Sequence, residues 1–352
     1  MISHMDMVAL PKAHLHLHLE GAIRPTTILD LYHRQGGGFA TLTLEEVVSR
    51  AQMTPSDVSF FDAIGKFDFI MRCLREPDDL VRITGEAMAD ADADGVRYVE
   101  LRFAPHFIHS FCRFPAPAAI EAVLKGIRQG MADHPNVIAT PTLIIDRALG
   151  NTAAEEVVRW ADRYRAMGTT SIDIAGDVSV YEYAEYEPAC TLAHELGLSI
   201  TIHVDCIPDL PGRVCGPQGL RIAVERLHAT RIGHGFCAAK DPALLDLLLE
   251  RGITLEISVS SNVYCRVVPS LDEHPLPRLL ASGVRVTLNT DDPTIFNVTL
   301  SEEYALLQRT FGLTLADFRR ANLHAVDAAF VDEERRQELR AMIEAGYSAA
   351  EE

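Results

Sequence analysis

The stretch "LHLHLEGAIRP", residues 15–25, separates two α/β architectures. Its alternating leucines and histidines read as a strand that runs into a turn at Gly21. An open doubly wound sheet would usually follow its first strand with a glycine-rich phosphate turn, and here a single glycine stands in that place. The reading therefore favours a closed barrel over an open sheet.

Working outward, strands are expected near Ala13–Leu19, Arg97–Phe103, Val137–Ile144, Ser171–Ala175, Ser199–His203, Thr230–Ile232, Ile253–Ile257 and Arg285–Leu288. Amphipathic helical patterns fill most intervals, as at Asp79–Ala93, Ala153–Ala166 and Ala243–Glu250. Eight strand–helix units predict an α/β fold, a (β/α)8 TIM barrel. A helical insertion over about residues 41–76 follows the first strand and is expected to form a lid over the active-site end. Extra C-terminal helices are expected over Ser301–Ala345. No linker or repeat divides the chain, so residues 1–352 are read as a single domain, with "MISHM" at 1–5 set aside as a leader or cloning remnant.

Composition narrows the function. The chain has 352 residues, 48% of them hydrophobic, which is ample for a large core, and a formal net charge of −18 that repels phosphate backbones and anionic lipid. Neither nucleic acid nor a membrane is an expected partner, and the expected location is the cytoplasm. Seven scattered cysteines without a CxxC pair read as reduced thiols. A Cys206–Cys215 disulfide is a minor alternative. The oligomeric state is left open.

Polar residues collect at the C-terminal ends of the expected strands, where barrel enzymes place their sites. They are His16 and His18 on the first strand, His203 on the fifth, His234 on the sixth, and Asp291 and Asp292 after the eighth. Residues two apart on a strand share a face, so His16 and His18 can hold one metal, with His203 and Asp291 completing the set. Three nitrogens and one carboxylate with a position left for water make a catalytic composition. Such a metal lowers the pKa of bound water to ~7, and His234 can orient or deprotonate that water. Asp292 is free for a substrate hydrogen bond. His14 is expected to face the same way, deeper in the barrel. Each residue alone has an ordinary reading as a cap or a satisfied core histidine; the conjunction on one rim favours a metal site.

Together "KAHLHLHLEGAIRP", "YVELRFAP", "IDIAGD", "TIH", "RIGHG", "SSN" and "LNTDDPTIF" resemble, in order and spacing, the adenosine and adenine deaminase family of the amidohydrolase superfamily, over residues 11–345. The resemblance implies Zn2+ as cofactor, one ion per chain on His16, His18, His203 and Asp291, with Fe2+ or Mn2+ suited to the same donors. It implies His234 as the histidine that activates water, Asp292 in contact with water or substrate, and Gly176 as a backbone donor to the purine. Glu20 and His18 take substrate-facing positions. Glu20 is similar to the adenine deaminase pattern, because adenosine deaminases carry aspartate there.

One position departs from the family. The glutamate that protonates the purine ring three residues after the third ligand is Cys206 here, in "HVDC" at 203–206. A thiol is a short, weak donor, and ring protonation by a general acid is worth ~10²–10⁴-fold. If the chain stays extended beyond His203, Asp205 points to the same side and is a candidate replacement. The implied function is a zinc-dependent hydrolase that attacks an amino-heterocycle carbon and releases ammonia, with altered specificity for a small aminopurine-like substrate. The alternatives are a non-deaminating hydrolase of a cyclic imine, amide or specialised metabolite, and, least favoured, an inactive binding protein that keeps its metal. Phe61, Phe67 and Phe69 are candidate substrate contacts in the insertion, and Glu100 with Arg102 is expected to form a buried structural pair.

Overall fold

A computed structural model describes residues 2–54, 56–57, 59–205 and 213–351. Eight parallel strands run in sequence order: β1 Lys12–His18, β2 Val96–Phe103, β3 Ile138–Asp146, β4 Ser171–Ala175, β5 Ser199–Val204, β6 Arg231–His234, β7 Thr254–Ile257 and β8 Arg285–Leu288. Helices surround them, so the strands are buried on both faces, and the polar residues that alternate with apolar ones along them point into a buried barrel interior. The expected TIM barrel is the observed architecture, and the strand boundaries shift by two residues at most.

The barrel closes through side chains as well as backbone. Beyond β8, Leu17 bridges Asp291, His18 N–H donates to the Asp291 carbonyl at 3.0 Å, and Asp291 N–H donates to the His16 carbonyl at 3.2 Å. Asn289 Oδ1 accepts from both Leu15 N–H and His16 N–H at 3.0 Å. The seam thus fixes the backbone of the first histidine pair against that of the aspartate pair.

The connection after β1 is helical, with Pro25–Gln35, Leu44–Ala51 and Phe60–Met71 preceding the helix Pro77–Ala93 that leads into β2. Helices Leu300–Phe311, Leu315–Ala328 and Glu333–Glu351 follow the barrel. The N-terminus corrects one expectation: Ser3 caps a helix over His4–Ala9 and Met7 is buried, so residues 3–5 take part in the fold. No described helix is long and apolar enough to cross a membrane.

Inside the barrel, the pairing expected of Glu100 and Arg102 is redistributed. Residues two apart on a strand share a face, and each of these two is engaged by opposite charges from other strands. Arg102 donates to Asp173 at 2.9 Å and to Glu256 at 2.8 Å, while Glu100 pairs with Arg231. Arg231 also donates from Nε to Glu256 at 2.7 Å.

Replacing Asn289 with Ala strands two buried N–H groups at the seam, each costing about 1–3 kcal/mol. Urea unfolding of Asn289→Ala should show that loss, whereas Asn289→Asp, which keeps the acceptor, should lose less. Equal stability of the alanine variant and wild type would mean that the side chain does not close the barrel.

Candidate metal centre and substrate cavity

Strand ends deliver the site. His18 Nε2 lies 3.3 Å from His16 Nε2, 3.2 Å from His203 Nε2 and 3.2 Å from Asp291 Oδ1, and His16 Nε2 lies 3.0 Å from the same oxygen. Asp291 Oδ2 accepts from Ser261 Oγ at 2.7 Å. His234 Nε2 stands 3.8 Å from Asp291 Oδ2. The side chains of His16, His203, His234 and Asp291 each offer a ligand atom, all within 4.8 Å of one another. The structure therefore brings together every residue of the expected metal set, with His234 beside it.

The orientation of the rings is imposed from below. His16 Nδ1 donates to Glu256 Oε2 at 2.8 Å, and His203 Nδ1 donates to Asp173 Oδ1 at 3.0 Å. Each ring therefore turns an unprotonated Nε2 inward. Arg147 and the Tyr183 hydroxyl both donate to the His203 carbonyl, at 2.7 and 3.2 Å, which locks the end of β5. Three imidazole nitrogens this close cannot all hold a proton in the space between them; a cation satisfies all of them at once. The three-nitrogen, one-carboxylate set suits a borderline divalent metal and fits the group implied by the sequence.

Electrostatics agree. Burial works against ionisation of Asp291, but its place against His16, His18 and His234 holds it well below the usual carboxylate range. Burial, aided by the adjacent Asp291, drives Asp292 well above that range. Asp292 Oδ1 is buried without a partner, and any Cβ on Gly21 would lie 1.9 Å from it, so only glycine fits there. Burial also raises Glu20; its Oε1 accepts from Ala104 N–H at 2.7 Å, and its Oε2 is buried and unpartnered. Three rim residues, Asp205, His234 and Asp291, adopt left-handed φ of 69°, 58° and 67°, a strain that tends to collect at functional sites.

A cavity of about 320 Å³ opens above the cluster. His18, Glu20, His203, His234, Asp291 and Asp292 line its floor, and Gly176, Asp177 and Asp146 line its side. Gly176 is at φ 101°, and a Cβ there would approach Asp146 Oδ1 to 3.3 Å. Of the expected aromatics, Phe61 and Phe67 line the cavity, but Phe69 does not. Phe69 instead stacks on Tyr32 at 4.9 Å under the Arg50 guanidinium, because helical periodicity carries it to the next face.

Two further expectations are redirected. His14 does not join the rim: the register of β1 breaks between His14 and Leu17, and His14 Nε2 accepts from Thr290 N–H at 3.1 Å. At Asp205 the chain leaves the extended conformation, and its Oδ2 accepts from Cys237 N–H at 2.8 Å, which ties the carboxylate to the loop after β6. The condition for Asp205 to face the substrate is not met. Cys206, and with it any Cys206–Cys215 pairing, lies outside the described residues.

Sequence reading passed over Glu256, Asp173, Asp146, Asn262 and His274. A carboxylate inside an apolar strand, as in "ITLEI" and "SIDIA", was the available signal for the first two.

A parallel eight-stranded barrel with a histidine–aspartate cluster at the C-terminal ends of its strands defines a metal-dependent hydrolase of the amidohydrolase superfamily. The adenosine deaminase family model matches residues 11–345, and the chain belongs to that family. It is 33% identical over 331 residues to adenosine deaminase of Klebsiella pneumoniae, covering 94% of this chain and 97% of that protein. Among solved structures it resembles a zinc-bound amidohydrolase from Burkholderia ambifaria, with a TM-score of 0.87, 28% identity and coverage of 98% and 93%. It also resembles Arabidopsis ADAL in complex with IMP, with a TM-score of 0.84, 27% identity and coverage of 97% and 98%. The chain is accordingly a metal-dependent, deaminase-like hydrolase of C–N bonds.

Substituting Asp173 with Asn removes the carboxylate that orients His203. Metal affinity, measured by competition with a chromophoric chelator, should fall about 10–100-fold. Unchanged affinity would show that His203 needs no such support.

Proposed function

We propose that the chain is a zinc-dependent deaminase of a small, phosphate-free aminopurine-like heterocycle, with the metal on His16, His18, His203 and Asp291. The observation that carries this reading is the convergence of three Nε2 atoms and one carboxylate oxygen, with His18 Nε2 3.2–3.3 Å from each of the other three, at the floor of a largely apolar cavity. A divalent ion at this position supplies Lewis acidity that brings the pKa of water down to ~7.

The chain's own residues do the rest. Asp292, whose Oδ1 is buried without a partner at the cavity floor, is placed to hydrogen-bond the substrate ring. Gly176 presents its backbone to the cavity without a side chain in the way, and Glu20 turns an unsatisfied oxygen to the substrate. Phe61, Phe67 and Phe107 wall off water from the reacting carbon, which strengthens each polar contact inside.

Substrate preference follows from charge. Carboxylates of Glu20, Asp146 and Asp177 border the cavity, and none of its described lining residues is Lys or Arg. Nor does the segment 206–212, "CIPDLPG", contain a basic residue. A nucleotide phosphate would meet repulsion without a cation to offset it. The IMP complex of the Arabidopsis relative marks the contrast, since that ligand carries a phosphate.

Cys206 supports an altered specificity. It occupies the position of the family's ring-protonating glutamate, and an ordinary thiol of pKa ~8.5 is a poor substitute for a buried carboxylic acid. Asp205, committed to Cys237 N–H, does not replace it. The favoured substrate is one whose ring is already electron-poor.

Ammonia release by the zinc-loaded wild type and Cys206→Glu on adenine, adenosine, AMP and electron-poor aminopurines tests both points. The glutamate variant should exceed wild type on adenine or adenosine by about 10²-fold or more. Equal rates would defeat the reading of Cys206, and no ammonia from either metal-loaded protein would favour hydrolysis without deamination. AMP should be the poorest substrate; AMP turned over faster than adenosine would defeat the phosphate-free assignment.

A further inference from the structure

Below His234 runs a chain of hydrogen bonds that begins at a main-chain donor. Leu276 N–H donates to His274 Nδ1 at 3.1 Å. A backbone N–H can only donate, so His274 Nδ1 carries a lone pair and its proton sits on Nε2. His274 Nε2 is 3.1 Å from Asn262 Oδ1, which accepts that proton. The Asn262 amide is thereby oriented, and its Nδ2 donates to His234 Nδ1 at 2.9 Å. Each link follows from the one before, so neither the asparagine flip nor either tautomer is a free choice. Burial supports the first link by pushing His274 down to about 4, which keeps it neutral.

Resting on the deaminase reading, we infer that Asn262 and His274 are positioning residues that fix His234 as the Nε2–H tautomer, so that His234 gives the cavity a hydrogen-bond donor and no lone pair. All four groups are buried, so no water competes for the links. Two consequences follow. His234 lies within ligand distance of the cluster, but its inward nitrogen bears a proton and does not coordinate. Its part in the reaction is to hold the attacking oxygen by donation and to stabilise the negative charge that grows there, not to take a proton at Nε2.

The alternative arrangement, with the asparagine oxygen toward His234, would face His274 Nε2–H with an NH2 group. That costs a buried donor–donor clash and leaves one hydrogen bond unmade.

The test reads the tautomer directly, on the full chain labelled with 15N-histidine, with and without zinc. Long-range proton–nitrogen correlation spectra, with His234 assigned by loss of its signals in His234→Gln, should show protonated Nε2 and unprotonated Nδ1 in the wild type. Asn262→Asp, nearly isosteric, replaces the donor to Nδ1 by an acceptor and should move the proton to Nδ1. His274→Leu removes the donor to Asn262 Oδ1 and should lower kcat/KM about 10–100-fold, and His274→Gln, which keeps an N–H, should restore most of it. A wild-type His234 protonated at Nδ1, or one unmoved by Asn262→Asp, overturns the inference. The spectra need no turnover, so failure of the deaminase reading, seen as no ammonia from any purine, is distinguishable from failure of the relay.

Discussion

A single buried guanidinium holds the centre of this molecule together. Arg102 reaches from β2 across the barrel to Asp173 on β4 and Glu256 on β7, and each of those carboxylates spends its other oxygen on a site histidine or shares it with one. Burial alone would push both carboxyls toward protonation, and a protonated carboxyl makes a weaker acceptor. His203 and Arg102 beside Asp173, and Arg102 and Arg231 beside Glu256, keep them ionised. Ionised carboxylates pin the protons of His16 and His203 on Nδ1. The direction in which the histidines point is therefore decided two contacts away from where they act.

Such an arrangement is a poor way to gain stability. Buried ion pairs recover their desolvation cost only with good geometry, and apolar side chains of similar volume often do as well. What the charges provide is orientation. Arg102 also donates to the Leu15 carbonyl at 2.6 Å, so it fixes the strand that carries His16 and His18 as well as the carboxylates beneath them. Together with the Asn289 seam, it holds β1 from both sides.

The architecture and the donor set were legible because they rest on local rules. Strand–helix alternation and the two-residue period of β1 place His16 and His18 without knowledge of any partner. The supporting layer was not legible, because Asp173, Glu256, Asn262 and His274 gain their meaning from contacts 12 to 240 residues away in the chain. His14 shows the limit of the period itself: a register break after it changes which side of the strand it faces. Asp205 shows the same limit at a strand end, where one left-handed residue redirects the chain. Neither conformation has a signature in residue type, since neither position is glycine.

The two halves of the site are constrained differently, and this bears on how its chemistry can vary. Four donors at the floor are each fixed by a buried partner: His16 by Glu256, His203 by Asp173, Asp291 by Ser261 and His234 by Asn262. A change in any one of them leaves a buried polar group unsatisfied, so the floor resists substitution. The phenylalanines of the walls face the open cavity, where replacement strands no polar partner. The reaction a cluster like this supports is set by buried charge under the barrel mouth, while the molecule it acts on is set by side chains that the fold leaves free to change.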